Sequence, residues 1–191
     1  MKITTATFVK SAANIDGLPK DTKPHIIFIG RSNVGKSSLL NTLTHHAGLA
    51  HVSKTPGRTQ LINIFDINKK MYFIDLPGYG FAKIPKNVQA EITERVSSYI
   101  HECTKIKLAI IICDAKIGPT TSDTETIALI SDAGIPIAII ANKWDSLNAH
   151  ERIRSAKRFH DAYPAVDIIP HSAKSGEGDA RILGIISETL A

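Results

Sequence analysis

The stretch Gly30-Arg31-Ser32-Asn33-Val34-Gly35-Lys36-Ser37 restricts what this chain can fold into more than any other segment. It follows a short apolar run, residues 26–29. It leads into residues 36–44, where Leu39, Leu40 and Leu43 recur at helical spacing. Strand, glycine-flanked loop and helix in that order are the setting that the pattern G-x-x-x-x-G-K-[ST] requires. Glycine at both ends lets the backbone wrap closely, so successive N–H groups point inward at phosphate oxygens. The helix starting near Lys36 adds the positive end of its dipole. Lys36 is then placed to reach the β- and γ-phosphates of a nucleoside triphosphate, and the Ser37 hydroxyl to ligate Mg2+. Chance produces such a match in roughly one chain in a hundred at average residue frequencies, and the strand–helix setting makes it rarer still.

The rest of the chain repeats the alternation. Strand-like runs cover residues 25–29, 61–67, 71–75, 108–114, 137–142 and 168–171. Helical patterns cover 36–44, 88–102, 121–133, 150–163 and 180–190. Asn68-Lys69 between the second and third runs predicts an antiparallel hairpin, and Gly134-Ile135-Pro136 stops one helix before the next strand. Near-continuous apolar strands between helices predict an α/β fold of the P-loop NTPase type in three layers. Its sheet is six-stranded and mostly parallel, with one antiparallel edge strand and helices on both faces. Residues 1–24, with turn chemistry at Asp16-Gly17 and Pro19, read as an N-terminal extension packed on a nucleotide-binding domain of residues 25–191. Residues 45–58 fit neither period, and a loop that long inside a compact domain marks function.

Three further motifs sit at predicted strand ends. Asp75-Leu76-Pro77-Gly78 places a carboxylate where it can face Mg2+ through water, and leaves the Gly78 N–H for the γ-phosphate. Thr59 closes the long loop in Gly57-Arg58-Thr59-Gln60-Leu61 and is the expected second protein ligand to Mg2+. That loop is then a switch, ordered by the triphosphate and released on hydrolysis. Lys36, Thr59 and Gly78 form the expected catalytic set, and the phosphate loop extends through Ser38. Asn142-Lys143-Trp144-Asp145 supplies the base reader. Asp145 can accept from guanine N1–H and the N2 amine, whereas adenine would leave the carboxylate unpaired, a discrimination worth ~10⁴ or more. Lys143 lies along the base, Asn142 ties this loop to the phosphate loop, and Ser172-Ala173-Lys174 offers a backbone N–H to guanine O6. These motifs in this order select GTP and GDP over ATP.

The composition is that of a globular protein: 191 residues, 43% hydrophobic and 21% charged. Residues 1–13 lack an apolar signal core, and the longest apolar runs are far too short to span a bilayer. Cys103 and Cys113 show neither metal nor redox spacing, so a reduced, cytoplasmic protein is expected, and a monomer. A net charge of +5 is compatible with a polyanionic partner. Arg154, Lys157 and Arg158 share one face of a predicted helix that also carries Arg152, while Tyr79, Phe81 and Lys83 interleave aromatic and basic residues. A solvated face is the simpler reading of the first cluster, and switch packing is an equal reading of the second. His45-His46 reads as a helix end, not a metal site.

Ser11-Ala12, Leu18-Pro19, residues 30–38 (GRSNVGKSS), 54–60 (KTPGRTQ) and 75–83 (DLPGYGFAK), with Asp114 and Gly118-Pro119, resemble the YihA/EngB/YsxC family of bacterial GTPases over essentially the whole chain. The resemblance implies a Ras-like fold, GTP hydrolysis, association with the large ribosomal subunit during its assembly, and a link to cell division and septation. Two positions depart from the family: Asn142 stands where Thr is frequent, and Ser146 where Lys is. Tyr79 occupies the place after D-x-x-G where efficient GTPases often carry Gln, so slow intrinsic turnover raised by a partner or a cation is expected. An Asn at the Asn33 position helps hold K+ beside the phosphates in related GTPases; equally, Asn33 caps the loop's turn. Two rival readings stay open: an Era or tRNA-modification type of GTPase, and a GTP-dependent interaction protein of division with negligible catalysis.

Overall fold

A computed structural model describes residues 1–50, 61–80 and 85–191. The strands are β1 (Ala6–Ala12), β2 (His25–Gly30), β3 (Ile62–Ile67), β4 (Met71–Asp75), β5 (Ile106–Asp114), β6 (Ile137–Asn142) and β7 (Asp167–Pro170). The helices are α1 (Lys36–Leu43), α2 (Lys86–Glu102), α3 (Thr121–Asp132), α4 (Ala149–Ala162) and α5 (Asp179–Thr189). They surround one sheet of order β1-β3-β4-β2-β5-β6-β7. Strands β4, β2, β5, β6 and β7 run parallel.

Alternation along the central strands builds two cores. Ile27 and Ile29 of β2, with Ala109, Ile111 and Cys113 of β5, pack on one face against Tyr99 of α2, Ile130 of α3 and Phe159 of α4. Ile26 and Phe28, with Leu108, Ile110 and Ile112, pack on the other against Leu39 and Leu43 of α1 and Ile182 and Ile186 of α5. Successive side chains leave a strand on opposite faces, so strands apolar at every position demand helices on both sides. Helix starts are locally encoded. Thr120 with Asp123 caps α3, and Asn148 with Glu151 caps α4, each as a reciprocal capping box.

Among the described residues the sheet has seven strands where six were expected, and the extra one comes from the N-terminal extension. β1 pairs antiparallel with β3, from Ala6 opposite Ile67 to Ala12 opposite Ile62. Only Ala12 of this strand is buried, so no apolar alternation announces it; the backbone ladder holds it instead. The β3–β4 hairpin turns at Asn68 and Lys69, both with positive φ (54° and 56°), the signs that the central pair of a type I′ turn needs, and the Lys70 amide closes the turn on the Ile67 carbonyl at 3.0 Å. The Asn68 side chain accepts from the Thr4 and Thr5 amides at 2.7 and 3.0 Å, which docks the chain start onto that turn. The antiparallel strand predicted at the edge is therefore covered, and β1 is the edge. His45 and His46 do end α1, through amide bonds back to Thr42 and Asn41. Among the described residues no helix is long and apolar enough to cross a membrane.

His25, the first residue of β2, is wholly buried, with Nδ1 2.8 Å from the Tyr99 hydroxyl and Nε2 unpartnered among the described residues. Burial disfavours the imidazolium, Lys105 adds repulsion against a slight pull from Asp21, and the pKa falls from 6.5 to about 4. The unfolded chain thus binds a proton that the folded chain refuses between those values, so stability is complete above pH 6.5 and lost on the way down to 4. Urea unfolding at pH 7 and at pH 4.5 should differ by about 2–3 kcal/mol more for the natural chain than for His25→Asn, which keeps a group facing Tyr99 and does not titrate.

Candidate functional site

The carboxyl ends of the parallel strands meet along one edge, and each ends on a residue singled out by sequence or on its neighbour. β4 ends on Asp75, β2 on Gly30, β5 on Asp114 and β6 on Asn142, while β7 is followed by His171 and Ser172. β2 lies where the strand order reverses, the place where open α/β sheets bind ligands.

Beyond β2 the chain turns through residues 31–35 into α1. A Cβ on Gly30 would lie 2.5 Å from the Ile112 carbonyl oxygen. One on Gly35, at φ +100°, would lie 2.3 Å from Asn142 Nδ2. Only glycine fits either position. Asn33 also has positive φ, 63°, which asparagine tolerates better than other side chains, so its turn alone accounts for its identity. Lys36 opens α1, followed by the half-buried Ser37 and Ser38. The Lys36 ammonium is buried in an ion pair with Asp75, whose other oxygen accepts from Asn63 at 3.4 Å. Of the residues expected to grip phosphate and metal, Lys36 and Asp75 are thus brought together, with the β4–β2 pairing beneath them.

The Asp75–Gly78 segment is laced to the entrance of this loop. The Leu76 amide donates to the Phe28 carbonyl, Tyr79 N–H to Gly30 at 3.3 Å and Ser32 N–H to Tyr79 at 3.0 Å. Leu76, Pro77 and Gly78 are buried, and a Cβ on Gly78 would stand 3.1 Å from the Gly30 carbonyl oxygen. The Tyr79 hydroxyl donates to Asp123 in the first turn of α3 at 2.6 Å. Burial, with the Asp123 carboxylate beside it, pushes that phenol far above its ordinary range.

On the far side of β2, Asn142 Nδ2 donates to the Val34 carbonyl at 2.8 Å, joining the second loop to the first as the sequence led us to expect. Lys143 follows with φ 62° and pairs with Asp114 at 2.8 Å. Burial raises the Asp114 pKa, but the Lys143 bond and charge and two backbone amides outweigh it, leaving the carboxyl below its usual range. Trp144 is buried and donates its amide to the His171 carbonyl at 2.9 Å. Asp145 stands at the rim, accepting from Lys174 Nζ at 2.9 Å and Ser172 Oγ at 2.8 Å. Those two bonds, Lys174 foremost, hold its pKa below the ordinary carboxylate value. The half-buried Ala173 lies between them in the same turn.

Gly57, Arg58, Thr59 and Gln60, with most of the expected switch loop, lie outside the described residues, as do Phe81 and Lys83. Leu61 is described and largely exposed, just before β3. The described start of that loop is held by Asn41, whose side chain brackets the Ala50 backbone with bonds of 3.0 and 2.8 Å. On α4, Arg154 and Lys157 are exposed beside a groove of about 520 Å³ that Lys116 and Leu147 also line. Glu151, Asp161 and the exposed Arg158 line the same groove, and the Arg158 guanidinium also donates to the Lys116 and Ile117 carbonyls, each at 3.1 Å. Of the three cations on this face, Arg154 and Lys157 are those without such backbone bonds among the described residues. Sequence reasoning passed over His171, Asp179 and Asp123. A histidine ending a strand and an acid opening a helix carry no motif.

Comparison with known proteins agrees with this geometry. Residues 25–143 match the family described as 50S ribosome-binding GTPase. The chain is 41% identical over 187 residues to the probable GTP-binding protein EngB of Chlorobaculum tepidum, covering 97% of both. It is 43% identical over 184 residues to the same protein of Prosthecochloris aestuarii, covering 96% of both. Among solved structures it superposes on a probable GTP-binding protein EngB with a TM-score of 0.70 at 32% identity, spanning 86% of this chain and 97% of that one. It also superposes on Aquifex aeolicus Era bound to GDP and aluminium fluoride, with a TM-score of 0.69 at 23% identity over 86% of this chain and 56% of that one, a likeness of fold.

Gly35→Ala should destabilise the chain by roughly 1–3 kcal/mol, because the new methyl meets Asn142 and the left-handed backbone is strained. A matching shift in the denaturant midpoint checks this.

Proposed function

The chain belongs to the 50S ribosome-binding GTPase family as an EngB-type GTP-binding protein, and from that premise we propose that it is a slowly hydrolysing GTP switch acting on the large ribosomal subunit during its assembly in the cytoplasm, with a bearing on cell division. The observation that carries this reading is the meeting, on one sheet edge, of a lysine and glycine loop suited to phosphates with a rim carboxylate suited to a base edge.

In this reading residues 30–38 cradle the phosphates and Lys36 exchanges Asp75 for the β- and γ-phosphates. Ser37, next to Lys36 at the start of α1, and Asp75, which pairs with Lys36 at the end of β4, are hard oxygen donors of the kind that suits Mg2+, and Thr59 is the remaining ligand of the set. Bound Mg2+ would supply neutralisation of phosphate charge. Gly78 offers its amide to the γ-phosphate. Asp145 pairs with guanine N1–H and N2, and the Ser172–Lys174 turn offers an amide to O6. Displacing Lys174 from Asp145 is cheap, since that side chain is 84% exposed. Asn33 has a conformational role, so the reading requires no K+ at that position.

Slow turnover follows from Tyr79. Its hydroxyl keeps its proton and donates it to Asp123, so this side chain is not turned to orient the attacking water. The large subunit is then the source of acceleration, and Arg154 and Lys157 are the cations offered to it.

Two measurements test the reading. Asp145→Asn should lower affinity for GTP and GDP by roughly 100-fold or more while the natural chain rejects ATP; equal binding of ATP and GTP would overturn it. Single-turnover hydrolysis should accelerate when large ribosomal subunits are added. Arg154→Glu with Lys157→Glu should weaken co-sedimentation with those subunits by about tenfold at moderate salt, GTP affinity holding. A rate that subunits leave unchanged would favour a binding switch with negligible catalysis.

A further inference from the structure

His171 touches the nucleotide site only through its neighbours, yet every hydrogen-bonding group it has is used there. It is fully buried. Its amide donates to the Ala141 carbonyl at 3.0 Å, and its carbonyl accepts from Trp144 at 2.9 Å. Its Nδ1 lies 2.7 Å from Asn142 Oδ1 and its Nε2 2.9 Å from Asp179 Oδ1. Thus one residue brackets positions 141, 142 and 144 of the base-reading loop from backbone and side chain together.

The direction of each bond follows from chemistry. The Val34 carbonyl can only accept, so the atom of Asn142 facing it is the NH2 group. Asn142 Oδ1 therefore faces His171 and must accept, which puts a proton on Nδ1. An Asn142 amide turned the other way would set two oxygens together at Val34. Asp179, the first residue of α5 after the positive-φ Gly178, anchors the opposite side of the ring. Because Nδ1 already carries a proton, a hydrogen bond between Nε2 and Asp179 needs a second one, held by the ring or by the carboxyl. Burial opposes the charged ring and outweighs the support of the Asp179, Glu177 and Asp145 carboxylates, so the imidazole's pKa lies below its ordinary value.

We propose that His171 is a positioning residue for nucleotide binding: it holds the Asn142 amide in the one orientation that grips Val34, and so sets the spacing between the phosphate loop and the base-reading loop. This rests on the guanine-nucleotide reading above. No motif assigns the role, and it requires α5 to be docked, because Asp179 holds the imidazole.

The test is GDP affinity, measured with a fluorescent GDP analogue, alongside thermal unfolding. His171→Leu strands the Asn142 acceptor and should weaken binding by about 10- to 100-fold. His171→Asn places an amide nitrogen where Nδ1 stands and should recover affinity to within about threefold of the natural chain. Should His171→Leu fail to fold, the comparison of His171→Ala, which removes the ring altogether, with Asn142→Ala and with the double variant decides. A residue acting through Asn142 should change affinity by less than about twofold once Asn142 is gone. Losses that simply add, or a His171→Leu chain that melts lower but binds GDP as tightly as before, would overturn the proposal. A natural chain that bound no GDP at all would overturn the nucleotide reading itself, and the proposal with it.

Discussion

One buried hydrogen bond, from Asn142 Nδ2 to the Val34 carbonyl, joins two loops that stand 108 residues apart in the chain. Everything the site can do depends on that spacing. A phosphate cradle and a base reader must present themselves to a single rigid ligand, and loops as such are poor at holding a mutual distance. Here both are anchored at their roots by the parallel ends of β2 and β6, with β5 between them. Two tight contacts then fix how closely they approach. Gly35 has no room for a methyl beside Asn142, and Gly30 has none beside the Ile112 carbonyl. His171 adds the third support, from β7 and α5, so four elements far apart in sequence converge on one amide.

The same edge also sets the limits of the chemistry. Asp75 and Lys36 neutralise one another in a buried pair, an arrangement that keeps both charges compensated and leaves each close to the place where the other is expected to act. Tyr79, by contrast, is withdrawn: its ring and hydroxyl tie the Asp75–Gly78 segment to the capping box of α3. A side chain spent on holding two elements together does not orient a water. The contact also joins the segment expected to sense the γ-phosphate to a helix on the outer layer.

The N-terminal strand illustrates how a sheet can be completed without a core signal. β1 buries almost none of its side chains, yet its backbone satisfies the outer edge of β3. An exposed β3 edge would offer unpaired N–H and C=O groups to other chains. Asn68, needed in the hairpin turn for its positive φ, doubles as the anchor for Thr4 and Thr5.

Local chemistry in the sequence determined a great deal. Apolar runs with no polar break could only be strands covered on both faces, and Gly30, Gly35 and Lys36 could be read as a phosphate cradle because backbone conformation and charge there are properties of a few consecutive residues. Asp75, Asn142 and Asp145 were legible for the same reason. What needed the tertiary structure is every relation between segments. Packing decided that residues 6–12 form a strand, since its partner lies 50 to 61 residues further along and its own pattern is mute. Packing also decided that Arg158 bonds two backbone carbonyls, that Tyr79 belongs to Asp123, and that His171 stands between Asn142 and Asp179. A hydrogen bond between distant residues leaves no period or spacing in the chain; it exists only once the sheet has brought its strand ends together.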